Sequence, residues 1–168
     1  QYSITQMVNV FPCNACMTPP AIINTSNPIC SDSPSVISYG GTASVNANYQ
    51  WNFDGGIIVY GTGQGPYQVL WNAGGNYNLT LTVQEPGCIP SDTTINLFIN
   101  SLPTPDAGTG DTICIGQSTT LNGSPDGNYY LWSQGWDLDD STAQHPVASP
   151  VITTTYVLTL TDSIGCAA

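Results

Sequence analysis

The chain has 168 residues, with 11 acidic side chains, a single histidine and neither lysine nor arginine, giving a net charge of −11 at pH 7. Without a fixed cation it cannot neutralise phosphates, which excludes nucleic acid and anionic lipid surfaces as electrostatic partners, together with P-loop and arginine-clamp chemistry. Only 7% of the residues are charged while 40% are hydrophobic, so the chain has the apolar content to fold.

Residues 1–20 read as an N-terminal arm. Within it, residues 1–12 are strand-like: Tyr2, Ile4, Val8 and Val10 fall on one face, and Pro12 ends the run. A start at Gln1, with no basic signal-peptide region, reads as a processed, exported product whose N-terminus can cyclise to pyroglutamate. No run of 18 apolar residues is present, so no membrane insertion is expected. Cys13-Asn14-Ala15-Cys16 has redox spacing, but Met17-Thr18-Pro19-Pro20 forbids the helix that would lower a thiol pKa. Zinc would need four ligands. A short structural disulfide, or a cross-link to a neighbouring subunit, fits Cys13 and Cys16 better.

Two segments then share a layout. In residues 24–100, Cys30 leads to Tyr49-Gln50-Trp51, to the run Tyr77–Val83 and to Gly87-Cys88; in residues 103–168, Cys114 leads to Tyr130-Leu131-Trp132, to Tyr156–Thr161 and to Gly165-Cys166. The cysteine spacings are 58 and 52 positions, so one module is duplicated across the linker Leu102-Pro103-Thr104-Pro105-Asp106. Apolar residues alternate at Tyr49, Trp51 and Phe53, at Tyr77, Leu79, Leu81 and Val83, and at Ile95, Leu97 and Ile99. No segment has helical periodicity. The expected fold is therefore all-β: two tandem immunoglobulin-like sandwiches of about seven strands each, with Trp51 and Trp132 in their cores, plus the arm. The layout implies the pairs Cys30–Cys88 and Cys114–Cys166, tying the ends of each sandwich. Six cysteines point to an oxidising compartment, extracellular or at the cell surface.

The first module ends with the strand-like Ser91–Asn100, whereas after Cys166 the second has only Ala167 and Ala168. A sandwich lacking its last strand would expose a groove of unpaired backbone. The expectation is that residues 1–12 of one subunit complete the second module of the next by strand addition, a head-to-tail contact that propagates a filament. The plainer alternative is a slice of a longer array in which both ends continue.

The remaining candidates are weaker. His145 lies in a loop before Pro146 with no nucleophile-elbow pattern nearby, so no enzyme and no catalytic residue is expected. No cofactor is expected either; calcium is the one candidate ion, at Asp137, Asp139 and Asp140, where a solvated loop is the competing reading. Asn24, Asn78 and Asn122 open N-x-S/T triplets, a weak signal in a chain rich in Asn and Thr. Tyr60 and Trp136 are the aromatic candidates for a glycan-contacting face.

The series Cys114-Ile115-Gly116-Gln117, Tyr130-Leu131-Trp132-Ser133, Pro146-Val147-Ala148-Ser149-Pro150, Thr153-Thr154-Thr155-Tyr156, Thr161-Asp162 and Gly165-Cys166 resembles the Ig-like repeat of large secreted surface adhesins of Bacteroidota, including those associated with gliding motility. Trp51-Asn52-Phe53-Asp54-Gly55-Gly56 and Gly75-Asn76-Tyr77 onward resemble a PKD-like module, with Asp-Gly-Gly where that family has Gly-Asp-Gly. The resemblance implies exported modules for adhesion, spacing or filament building, with self-association or surface glycans as partners. It also implies O-glycosylation at Asp-Ser/Thr-apolar sites, here Thr93, Thr112, Ser141 and Ser163. A two-module adhesin fragment that binds glycans is the alternative to a filament subunit.

Overall fold

The computed structural model describes residues 16–26 and 28–168, so the strand-like arm with Tyr2, Ile4, Val8 and Val10, and Cys13 beside it, lies outside the described residues. What is described is all-β, with one 3-10 turn at Gly135–Asp137. Seven strands come first: β1 (Ile23–Thr25), β2 (Ser35–Tyr39), β3 (Asn48–Asn52), β4 (Ile57–Tyr60), β5 (Tyr67–Leu70), β6 (Gly75–Gln84) and β7 (Ser91–Ile99). They form one sheet in the order β1-β2-β5-β4 and another in the order β3-β6-β7. This is the four-plus-three arrangement of a constant-type immunoglobulin sandwich.

Period-two patterning explains how these strands lie. In β6, Leu79, Leu81 and Val83 are fully buried while the intervening residues face outward, and β7 repeats this with Leu97 and Ile99. In antiparallel register, Trp51 of β3 sits opposite Leu81 and Tyr49 opposite Val83. The chain leaves β3 for β4 through Asp54-Gly55, both at positive φ (50° and 88°), with the Gly56 amide donating to the Phe53 carbonyl at 3.0 Å. That is the geometry of a type I′ turn, for which Asp-Gly is suited. Trp51 is only partly buried, yet it packs against Leu81 and Val83 and stacks on Phe53 with ring centroids 5.6 Å apart. Trp71 is more deeply buried and continues the inward alternation of Tyr67 and Val69.

The later strands are shorter. β8 (Thr119–Thr120) pairs with β10 (Val147–Ala148), and β9 (Tyr129–Trp132) pairs with β11 (Leu158–Thr161), each antiparallel. Isolated bridges at Asp106–Ser124, Leu138–Ala148 and Thr161–Ala167 mark where further strands begin without extending. The core here is small: Trp132, Leu158 and Leu160, flanked by Leu121, Tyr130, Leu138 and Tyr156. The Trp132 indole N–H donates to the Ala143 carbonyl at 3.0 Å, which satisfies its polar edge.

By its contacts the chain divides into two compact units. One holds Ser35–Val69 and Tyr77–Leu97 with the described residues up to Thr25; the other gathers Ser26–Pro34, Leu70–Asn76 and Phe98–Ala168. The disulfides correct the expected pairing. Cys16 bonds Cys88, and Cys30 bonds Cys166, in place of Cys30–Cys88 and Cys114–Cys166. In the first unit, a parallel bridge between Met17 and Ile89, with the Ile89 amide donating to the Cys16 carbonyl at 3.0 Å, lays Cys16 beside Cys88. That bond also excludes a Cys13–Cys16 bridge. In the second unit, Cys30 makes a parallel bridge with Asn100 and is joined to Cys166. Cys114 opens a turn in which the Gln117 amide donates to its carbonyl at 3.0 Å; it is exposed and has no disulfide partner among the described residues.

Candidate functional site

The feature that stands out is the outer edge of β11. Its inner edge pairs with β9, from Leu158 opposite Trp132 to Thr161 opposite Tyr129. On the outer side the chain turns at Asp162 and returns for two residues only. The Leu160 amide donates to the Ala168 carbonyl at 2.9 Å, and the Ala168 amide donates back to the Leu160 carbonyl at 3.0 Å. Backbone groups on one edge of a strand recur every second residue, so those of Leu158 face the same side as those of Leu160. No described strand lies there, and β11 belongs to a two-stranded sheet.

In the same unit a cavity of about 720 Å³ is lined by residues 107–115, by Thr119, Thr120, Leu121 and Trp132, and by residues 150–156, none of them in β11. Three large apolar side chains on these walls are strongly exposed: Ile115 at 85%, Val151 at 72% and Ile152 at 76%. Large apolar side chains left this exposed around one cavity form a surface suited to being covered. Cys114 lies on the same wall as Ile115. Tyr156 closes one end. Its hydroxyl and Asp137 Oδ1 are both shielded from solvent without a hydrogen-bond partner among the described residues. Burial first, and the neighbouring Asp137 carboxylate next, push the phenol up to about 12.

The acidic residues serve the loops. Asp162 Oδ1 accepts the amides of Ile164, Gly165 and Cys166 and so shapes the turn after β11. Asp111 accepts the Thr112 amide and the Thr119 hydroxyl, the latter at 2.6 Å. The Thr119 bond, then the Thr112 amide, hold the Asp111 carboxyl below its ordinary range. Asp140 accepts both the amide and the hydroxyl of Thr142, which lower its pKa likewise. Asp139 Oδ1 accepts the amides of Asp140 and Val147. Asp139 and Asp140 thus serve their own loop, and among the described residues no group of three acidic, histidine or cysteine side chains could hold a metal ion.

Of the four expected glycan acceptors, Thr112 and Ser163 are exposed and Thr93 and Ser141 half-buried. His145 is exposed. Tyr60 (71% exposed) belongs to the first unit and Trp136 (81%) to the second. Within β4 sequence reasoning named Tyr60 alone, whereas all four residues, Ile57, Ile58, Val59 and Tyr60, are exposed at a sheet edge. The run of four apolar residues was its available signal. Nor did it single out the groove-wall residues Ile115, Val151 and Ile152, which flank the expected strands and show no periodicity of their own.

No family model matches the chain, and no curated protein matches it. Among solved structures it is similar to the Bacteroides ovatus mixed-linkage glucan utilization locus protein SGBP-B, in complex with a mixed-linkage heptasaccharide, at 19% identity and a TM-score of 0.37. The match covers 83% of this chain and 40% of that one. Among the described residues no helix is long and apolar enough to cross a membrane.

Proposed function

We propose that the protein is a non-enzymatic structural subunit of an extracellular filament or surface fibre, in which residues 1–12 of one copy lie along β11 of the next. What supports this reading is the outer edge of β11, along which only the short return to Ala168 pairs among the described residues, and, separately, the exposed Ile115, Val151 and Ile152 around a cavity of the same unit. The occupant follows from the sequence. Residues 1–31 contain no acidic side chain, so the arm adds no carboxylate repulsion to a protein of net charge −11. Its alternation, with Tyr2, Ile4, Val8 and Val10 on one face, matches what a strand over an apolar floor requires. Full burial of one Ile or Val side chain is favourable by about 1.5–3 kcal/mol, so covering Ile115, Val151 and Ile152 gives the contact a real driving force. Such a contact does not close on itself.

The test is deletion of residues 1–12, followed by electron microscopy of the purified protein. Polymers should disappear, and a free peptide of residues 1–12 added to the intact chain should cap them. Polymers that persist without the arm reject the mechanism, whether the groove is filled by further chain or by nothing.

A second reading, a surface adhesin module that binds glycans, is favoured by the exposure of Trp136 at 81% and Tyr60 at 71%, since aromatic faces stack on sugars. Retention on a polysaccharide column that is lost in Trp136→Ala, with no polymer in any preparation, would favour it over assembly. On either reading, Thr112 and Ser163 are the O-glycan acceptors whose exposure suits modification, and peptide mass mapping tests them.

A further inference from the structure

We propose that the outer edge of β4 is a self-association site, at which Ile57–Tyr60 pairs antiparallel with the same strand of a second copy. The site lies within the first unit and uses neither β11 nor the arm, so it goes beyond the assembly reading above.

β4 ends the sheet order β1-β2-β5-β4: β5 takes one of its edges, and no described strand takes the other. Neighbouring β5 shows the ordinary alternation, with Tyr67 and Val69 buried and Gln68 exposed. β4 does not. Ile57 is 49% exposed, Ile58 52%, Val59 53% and Tyr60 71%. Successive side chains point to opposite faces, so both faces of this strand are wet and both are apolar. Soluble proteins blunt an exposed edge with charge or proline, and Ile57–Tyr60 has neither. Gly61 bounds the site: at φ 117°, with the Pro66 carbonyl oxygen 2.6 Å from where a Cβ would sit, it closes the hairpin into β5.

The charge distribution points to the occupant. Each copy carries a net charge of −11, so two copies repel wherever acidic surfaces meet. Residues 55–84 contain no charged side chain, and this run holds β4, β5 and β6. The nearest carboxylate in sequence, Asp54, is turned toward β6, where its Oδ2 accepts the Asn78 amide at 2.8 Å. Antiparallel pairing also sends the two Asp54 residues to opposite ends of the joined strands. A second copy can therefore approach this edge without carboxylate meeting carboxylate.

Symmetry fits as well. An antiparallel edge is self-complementary, because each strand offers the same amides and carbonyls in reverse order. With side chains alternating, a two-fold axis normal to the sheet must pass through a residue that faces its own counterpart, here Ile58 or Val59. With Val59 on the axis, Ile58 lies opposite Tyr60 of the other copy; with Ile58 on the axis, Ile57 lies opposite Val59. Either register makes apolar cross-strand pairs. Four half-exposed side chains per copy place the contact below about 1,200 Å², the range of weak, reversible interfaces. The contact is isologous and closes on itself, so it joins two copies side by side and does not extend a chain.

The experiment uses the full chain with Ile58→Cys or Val59→Cys, treated with a short bismaleimide and mapped by peptide mass spectrometry. Directly opposite Cβ atoms lie about 4.5–5.5 Å apart, so the variant whose cysteine falls on the axis should give a homotypic cross-link, which can form only between copies. Val45→Cys, in the same unit and exposed at 79% but outside any strand, should give none. Adding Ile58→Glu to Val59→Cys, or Val59→Glu to Ile58→Cys, should lower the yield by about tenfold through carboxylate repulsion. Intact Cys16–Cys88 and Cys30–Cys166 peptides verify the fold of each variant. Removing residues 1–12 should leave the yield unchanged. Yields at positions 58 and 59 no higher than at 45 overturn the proposal. So does a cross-link that appears only without the arm, which would assign the edge to the chain's own arm, or only with it, which would assign it to packing within polymers.

Discussion

The segments holding β1–β7 and β8–β11 share one sequence layout and differ in the strand pairing they make. In the first, β7 runs for nine residues along β6 and buries Leu97 and Ile99. Along the outer side of β11, Ala167 and Ala168 make the pairing that the described residues show, and Ile115, Val151 and Ile152 stay in solvent. The buried residues follow the same division. Ile37, Val69, Trp71, Leu79, Leu81, Val83 and Ile99 are nearly inaccessible among β1–β7, whereas Trp132, Leu158 and Leu160 form the later core. A small core with an open edge needs a covalent brace, and Cys30–Cys166, spanning 136 positions, supplies one. The lesson is that one sequence pattern buries a large core where a long strand completes the pairing, and a smaller one where the pairing is short.

The comparison can be broken at the brace first. Cys166→Ser should cost about 2–5 kcal/mol, read by denaturant unfolding, with loss of protection concentrated in residues 114–168 and little change along β6. Equal loss along β6 would show that the modules do not differ as described. Next come matched truncations of two fully buried leucines. Leu81→Ala should cost about 3–5 kcal/mol, while Leu160→Ala, in the smaller core with Trp132 and Leu158, should cost about 2–3 kcal/mol. The reverse order would contradict the contrast in packing. Asp162→Ala removes the acceptor for three amides and should cost about 1–2 kcal/mol, again in the second module alone.

The smallest effect is on pH. The Asp111 and Asp140 carboxyls are held below their ordinary range by hydrogen bonds. Their contribution to the folded state is therefore complete above the ordinary aspartate pKa of about 3.9 and is lost as pH falls through the lowered values. Thr119→Ala removes the largest cause at Asp111, so a side-chain NMR titration should show its midpoint move up while that of Asp140 stays put. An unmoved Asp111 would remove the hydrogen bond from the account.

Much of the first module was legible in the sequence, because β6 and β7 carry period-two alternation that only a half-buried strand satisfies. The Trp71 position was legible as well, continuing Tyr67 and Val69, but the duplicated Trp51 and Trp132 drew the reading toward themselves. Disulfide pairing was not legible. Six cysteines allow 15 connectivities, and the choice was made by bridges such as Met17–Ile89, which join residues far apart in the chain. The walls of the cavity were not legible, since residues 107–115 and 150–156 are irregular and carry no periodicity.

The central claim is that the outer edge of β11 is completed by a neighbour's arm. A cryo-electron microscopy map of polymer grown from the full chain tests this most directly, because the strand beside Leu158 can be identified from its side chains. The account predicts density for Gln1–Pro12 of the adjacent subunit, with Val8 and Val10 over Trp132 and Leu121. A strand traced to residues of the same subunit, or an empty groove in a well-ordered polymer, would contradict it.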